Sequence, residues 1–291
     1  MRKYGVFVVI AAALMIIIAG RMYYSEKLAS TAESAQQELA ASQSAGTEDT
    51  EENAEEEVME EPEIEEEQEV SGEALFTADE LEELTADIPA EIGERITERL
   101  SSDEAVSVLT VGSRSSADYY NEGVTPWPEL LEESLNEAYG EGVFTFNNVS
   151  FGEYTSEEIV SQNRHRGLAD TTADILLLEG FNWNDNLAVV TGEDAQENIL
   201  AIIDTASSEN EDLITAIQPS PPAFETSIYP EQIEKFEQFV EDEGFIYIDH
   251  WEAWPGIDEA ELLEYVTEER MPNQSGHELW SNYLIQSFVT Q

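Results

Sequence analysis

Ala105-Val106-Ser107-Val108-Leu109-Thr110-Val111-Gly112-Ser113-Arg114-Ser115-Ser116 is a short apolar run that ends on a glycine and a string of small or polar residues. A run of this length suits a strand buried on both faces. Comparable runs follow at 143–147, 175–178, 213–218 and 245–248, with the first placed at 105–111. Between them, apolar residues recur at helical spacing over 127–138, 156–168, 194–205 and 230–242, and two more such patterns follow at 258–266 and 276–288. Five strands alternating with helices predict a flavodoxin-like fold: a three-layer α/β/α sandwich around a parallel sheet of about five strands. Ligands bind such sheets at the carboxyl ends of the strands, so the strand-to-helix junctions are where chemistry is expected.

Outward from this domain toward the N-terminus the composition changes twice. The spacing of Leu81, Leu84, Ile88, Ile92, Ile96 and Leu100 predicts one or two short lead-in helices over 75–102. Residues 25–74 are rich in Ala, Ser, Gln and Glu, and no Lys or Arg occurs between Lys27 and Arg95. Such a segment buries too little apolar surface to offset chain entropy and is expected to be a disordered, self-repelling acidic stalk. It lacks the spaced oxygen ligands of a dedicated calcium loop. Residues 1–24 read as a signal anchor. Arg2 and Lys3 precede an apolar run from Gly5 to Gly20, and Arg21 followed by Met22, Tyr23 and Tyr24 suits the far interface. A cleaved signal peptide is the alternative, although no small-x-small cleavage site stands out. Either reading places the α/β domain, 103–291, outside the cell, with membrane contact through the N-terminal helix only.

The chain holds 65 acidic and 11 basic residues, a net charge of -54, and no cysteine. Residues 101–291 alone contain 39 acidic and five basic side chains, a net of -34. That field repels polyanions, which argues against nucleic acid and against peripheral binding to anionic lipid. Dispersed carboxylates fit solubility in high salt or at alkaline pH better than they fit a binding patch. The missing cysteine removes disulfides, thiolate metal sites and a thiol nucleophile. No two of His165, His250 and His277 have metal-ligand spacing, and neither a metal nor another cofactor is expected.

Four blocks occupy the junctions. Val111-Gly112-Ser113-Arg114-Ser115-Ser116 follows the first strand. Asn148-Val149-Ser150-Phe151-Gly152-Glu153-Tyr154-Thr155-Ser156 follows the second, and Gly180-Phe181-Asn182-Trp183-Asn184-Asp185-Asn186 the third. Glu268-Glu269-Arg270-Met271-Pro272-Asn273-Gln274-Ser275-Gly276-His277 stands near the end. In order, spacing and strand context they resemble the SGNH/GDSL hydrolases, a family of serine esterases, lipases and carbohydrate acyl-esterases. The resemblance covers about 105–288. It implies a serine on the first turn, a histidine that takes its proton, and an acid three residues before that histidine. It also implies an oxyanion hole of backbone N–H groups, a second-block glycine and a third-block asparagine. Gly152 matches the glycine. Asn184 is the choice for the asparagine, and Asn182 also fits the spacing after Gly180.

The reacting positions depart from that pattern. The nucleophile position is Arg114, the base position is Met271, and the acid position is Glu268. A guanidinium offers no nucleophilic oxygen, and a thioether relays no proton. The standard mechanism is therefore expected to be lost, leaving a protein that binds a cell-envelope glycan or acylated ligand. Arg114 would offer that ligand a fixed positive charge. The competing expectation is an active esterase using Ser113, Ser115 or Ser116, with His277 as the alternative base. His250, just after the fifth strand, reads as an aromatic-packed corner, and His165, between two arginines, as a solvated helix face.

Overall fold

A computed structural model describes residues 76–290. The expected signal anchor and the whole of the expected stalk lie outside those residues. Among the described residues no helix is long and apolar enough to cross a membrane.

Five strands run β1 (Val106–Gly112), β2 (Phe144–Ser150), β3 (Ile175–Glu179), β4 (Ile214–Gln218) and β5 (Ile246–Tyr247). They form one parallel sheet in the order β2-β1-β3-β4-β5. Helices α1 (Ala78–Thr85) and α2 (Ala90–Ser101) precede it. The others are α3 (Trp127–Tyr139), α4 (Ser156–Ser161), α5 (Asn182–Ala188), α6 (Gly192–Ala206), α7 (Tyr229–Asp242) and α8 (Gln274–Leu284).

Strand alternation makes the three layers. On β1, Val106 and Val108 face one core while Leu109 and Val111 face the other; on β3, Ile175 and Leu177 oppose Leu176 and Leu178. The first core is closed by α1, α2, α3 and α8, the second by α4, α6 and α7. The central strands β1, β3 and β4 are buried on both faces and read in sequence as mainly apolar runs, whereas the edge strands β2 and β5 are only partly buried.

Three local expectations change. The helix expected over 156–168 ends at Ser161, where Asn163 takes a left-handed φ of 57° and the chain resumes as a 3-10 segment, Arg164–Asp170. The pattern at 258–266 forms only a 3-10 piece, Ala260–Glu264, in which Leu262 is buried. Asp258, Glu259, Glu261 and Glu264 crowd that short stretch with like charge, which disfavours a longer helix. Conversely, α5 is a helix where only a polar junction was expected, because Trp183, Asn184 and Asp185 are all drawn into the interior.

The lead-in helices belong to the core. Leu81, Ile92, Ile96 and Leu100 are at most 2% exposed and pack with Val106, Leu135 and Phe288 in one cluster. Thr290 ties the C-terminal end back to them, its N–H donating to the Leu84 carbonyl at 2.8 Å and its hydroxyl accepting from the Asp87 N–H at 3.0 Å. Ile96→Ala should therefore cost about 2–5 kcal/mol of unfolding free energy in urea titration, the usual range for emptying a packed aliphatic site. An unchanged denaturation midpoint would mean that α2 is a spacer.

Candidate functional site

At the end of β1 the chain passes Gly112 and turns through a 3-10 segment, Arg114–Ser116. A Cβ on Gly112 would lie 2.8 Å from a Glu179 carboxylate oxygen and 2.9 Å from the Ser116 side chain, so no larger residue fits. The end of β2 holds this turn in place. The Asn148 side chain donates to the Ser116 carbonyl at 2.8 Å, and the Ser150 hydroxyl to the Ser113 carbonyl at 2.7 Å.

Glu179, the last residue of β3, is fully buried and was not singled out by the sequence reading. Its carboxylate accepts from the Ser113 N–H at 2.9 Å and from three hydroxyls: Ser113 at 2.8 Å, Ser115 at 2.7 Å and Ser220 at 2.6 Å. A buried carboxylate is tolerable only when donors saturate it in this way. The signal available in the sequence was an acidic residue closing a run of pure aliphatics, Ile-Leu-Leu-Leu-Glu.

Arg114 is one-tenth exposed. Its guanidinium meets Glu153 at 3.1 Å and donates to the Tyr120 hydroxyl, while its Nε is buried without a hydrogen-bond partner. Met271 is also buried, in an apolar cluster with Trp183, Ala223, Tyr229 and Ile233. Arg114 and Met271 line one cavity, together with Ser115, Tyr119, Thr267 and His277. The fold thus brings the first and fourth blocks together. The cavity is only about 20 Å3, room for roughly one water molecule. Glu268 is exposed and does not line it; Thr267 does.

The three serines are buried and their hydroxyls are engaged. Ser113 and Ser115 donate to Glu179, and Ser116 donates to the Ser113 carbonyl at 2.9 Å. His277 shares the cavity with Ser115, but its Nδ1 accepts the Trp127 N–H at 3.2 Å, satisfying an otherwise orphaned donor at the start of α3. Burial pushes this imidazole down to about 4, so it is neutral, and because Nδ1 accepts, its proton is on Nε2.

The other histidines lie elsewhere. His250 stacks on Trp280 with ring centroids 4.1 Å apart. It donates through Nε2 to the Pro219 carbonyl and accepts the Trp254 indole N–H at Nδ1. Burial lowers it to about 3, and both nitrogens serve the aromatic corner. His165 sits on the 3-10 segment, half-buried, with Nδ1 3.2 Å from the Ile159 carbonyl.

Gly152 has a φ of 61°, and a Cβ there would lie 2.7 Å from the Tyr119 ring. Its carbonyl accepts from the Arg114 N–H and from the Asn184 side chain, each at 2.9 Å. The Asn184 amide donates as well to the Tyr154 carbonyl at 3.0 Å, and the Gly152 N–H to the Ser150 hydroxyl at 3.3 Å. The donors of the second and third blocks converge at this junction and are spent on holding it together. Asn182 instead accepts the Ser220 N–H, on the β4 side. Beside this junction opens a groove of about 640 Å3 lined by Tyr119, Phe151, Gly152, Glu153, Tyr154 and Glu158.

No protein-family model and no curated protein matches the sequence. Solved structures do. A G-D-S-L family lipolytic protein from Desulfitobacterium hafniense superposes with a TM-score of 0.51 at 17% identity, over 62% of this chain and 99% of that one. A carbohydrate esterase family 3 protein from Talaromyces cellulolyticus gives 0.52 at 14% identity, over 63% and 98%. The likeness is one of fold, and the fold is that of the SGNH/GDSL hydrolases.

Asp185, beside Asn184, provides a test of the third block. It is 4% exposed and accepts the Ser156 N–H at 2.8 Å, yet burial raises its carboxyl to about 6 from 3.8. Its folded pKa lies above the unfolded one, so the folded state binds more protons between those values. Stability should therefore fall as pH rises from about 4 through about 6, by on the order of 3 kcal/mol in total. Asp185→Asn should remove that slope and raise Tm at pH 8 relative to wild type. A variant less stable than wild type at pH 8 would contradict this assignment.

Proposed function

We propose that this domain, built on the SGNH/GDSL hydrolase fold, is a binding protein that has lost the hydrolytic mechanism and holds an anionic glycan or acylated ligand of the cell envelope. The observation that carries this reading is the meeting of Arg114 and Met271 in one cavity too small for an acyl group. The neighbouring serines do not compensate, because their hydroxyls are committed to Glu179 or a carbonyl. The ligand would lie in the adjoining groove, whose aromatic rings and few polar groups suit a polyhydroxylated molecule. Glu153, with a side chain 60% exposed, now neutralises Arg114; a ligand carboxylate or phosphate could take its place on the guanidinium.

A second reading has one observation in its favour. Ser115 lines the cavity and lies 2.7 Å from a buried carboxylate, a geometry in which Glu179 could act as its base. Fluorophosphonate labelling of the full-length chain, in high and low salt, separates the two. Wild type should remain unlabelled, whereas Arg114→Ser combined with Met271→His should label at residue 114. Stoichiometric labelling of wild-type Ser115 would establish the esterase reading, and a silent double variant would undermine the alignment of the blocks.

The signal anchor and acidic stalk are proposed to display the domain outside the membrane as a single-pass protein. The full chain should then stay with membranes through alkaline carbonate extraction and be digested by protease added to spheroplasts. Recovery of a shortened, soluble chain would replace the anchor with a cleaved signal peptide.

A further inference from the structure

Apart from the cavity at Arg114, α5, α6 and α7 enclose a second one of about 270 Å3, to which the third block contributes Asn182, Asp185 and Asn186. Its lining includes Asp185 from α5, Val190, Gln196 from α6, and Ile228, Gln232 and Phe236 at the start of and along α7. Two acceptor atoms in that lining are buried and have no donor: Asp185 Oδ2 and Gln232 Oε1. Each such acceptor costs about 1–3 kcal/mol, more when charged, so the site gains from any group that donates to it. Asp185 is more than nine-tenths buried, with its other oxygen held by the Ser156 N–H.

Within the lining, Ile228 is 65% exposed, and Val190 and Phe236 add further apolar surface. Leu187 and Val189, at the end of α5 and outside the lining, are 59% and 84% exposed. Val189 holds a left-handed φ of 61°, a conformation costly for a β-branched residue. Lys235 and Glu231 also line the cavity and pair with each other at 2.7 Å, so the resident ammonium is engaged there. The partnerless groups in this lining are both acceptors, in a domain whose net charge attracts cations.

We propose that this cavity binds an amine: an ammonium group on an apolar stem, the head donating to Asp185 and Gln232 and the stem lying against Ile228, Val190 and Phe236. At pH 8 the Asp185 carboxyl is ionised, since burial holds it at about 6, and an alkylammonium pairs with it in a setting where charge-assisted hydrogen bonds are strong.

The test titrates the full-length chain at pH 8 with n-hexylamine, 1-hexanol and hexanoate, following binding by calorimetry. The amine should bind about tenfold or more tightly than the alcohol, the ratio expected for one charge-assisted hydrogen bond, and hexanoate should not bind. Asp185→Asn, which keeps an oxygen for the Ser156 N–H, should bring the amine down to the level of the alcohol. Ile228→Ser, at an exposed position that folding does not depend on, should weaken amine and alcohol alike. Equal affinity for amine and alcohol, amine binding unaltered by Asp185→Asn, or no saturable binding would each overturn the proposal.

Discussion

The junction between β1 and β3 is governed by one buried charge. Glu179 is fully removed from water, and an ion in that position is stable only if its oxygens are saturated with donors. Ser113, Ser115 and Ser220 supply them, which fixes the first turn against β3 and the start of the β4 loop. Gly112 follows from the same requirement, because the carboxylate occupies the space a side chain would need. The serine-rich turn that suggests a nucleophile is, in the folded chain, the coordination shell of a carboxylate.

The two positions that the family resemblance assigns to the reaction have separate physical supports. Arg114 is balanced by Glu153 and lies against the Tyr120 ring, with its guanidinium carbon 5.8 Å from the centroid. Met271 completes an apolar cluster with Trp183 and Tyr229, in which a polar imidazole would need a new partner. Behind them, Trp280 is stacked between Trp127 and His250 and donates to Gln218 at 2.7 Å. His277 caps α3 and His250 braces the aromatic corner, so two of the three histidines are structural elements of the first core's upper edge.

Cations are scarce in a domain of net charge -34, and their placement is selective. Arg164 stacks on Tyr154 at 3.6 Å and Arg270 lies 5.7 Å from the Trp183 ring, as Arg114 lies against Tyr120. Three of the few basic side chains are thus held by aromatic faces, those of Tyr154 in the second block, Trp183 in the third and Tyr120 just after the first, where each adds positive potential to an otherwise acidic surface. Arg95 and Arg99 instead bind Asp174 at the opposite end of β3 and have a purely structural partner.

The sequence by itself determined the layers, because the central strands, buried on both faces, must be written as mainly apolar runs and the helices over them as stripes. It also showed that the positions the family resemblance assigns to nucleophile and base are Arg114 and Met271, side chains that offer neither a nucleophilic oxygen nor a proton relay. It did not reveal α5, since Asn182, Trp183 and Asn184 form a helix only once Trp183 has a hydrophobic pocket to enter. Nor did it reveal what the serines do. Whether a hydroxyl faces substrate or a buried carboxylate depends on Glu179, 64 residues from Ser115 along the chain, and only the pairing of β1 with β3 brings them together.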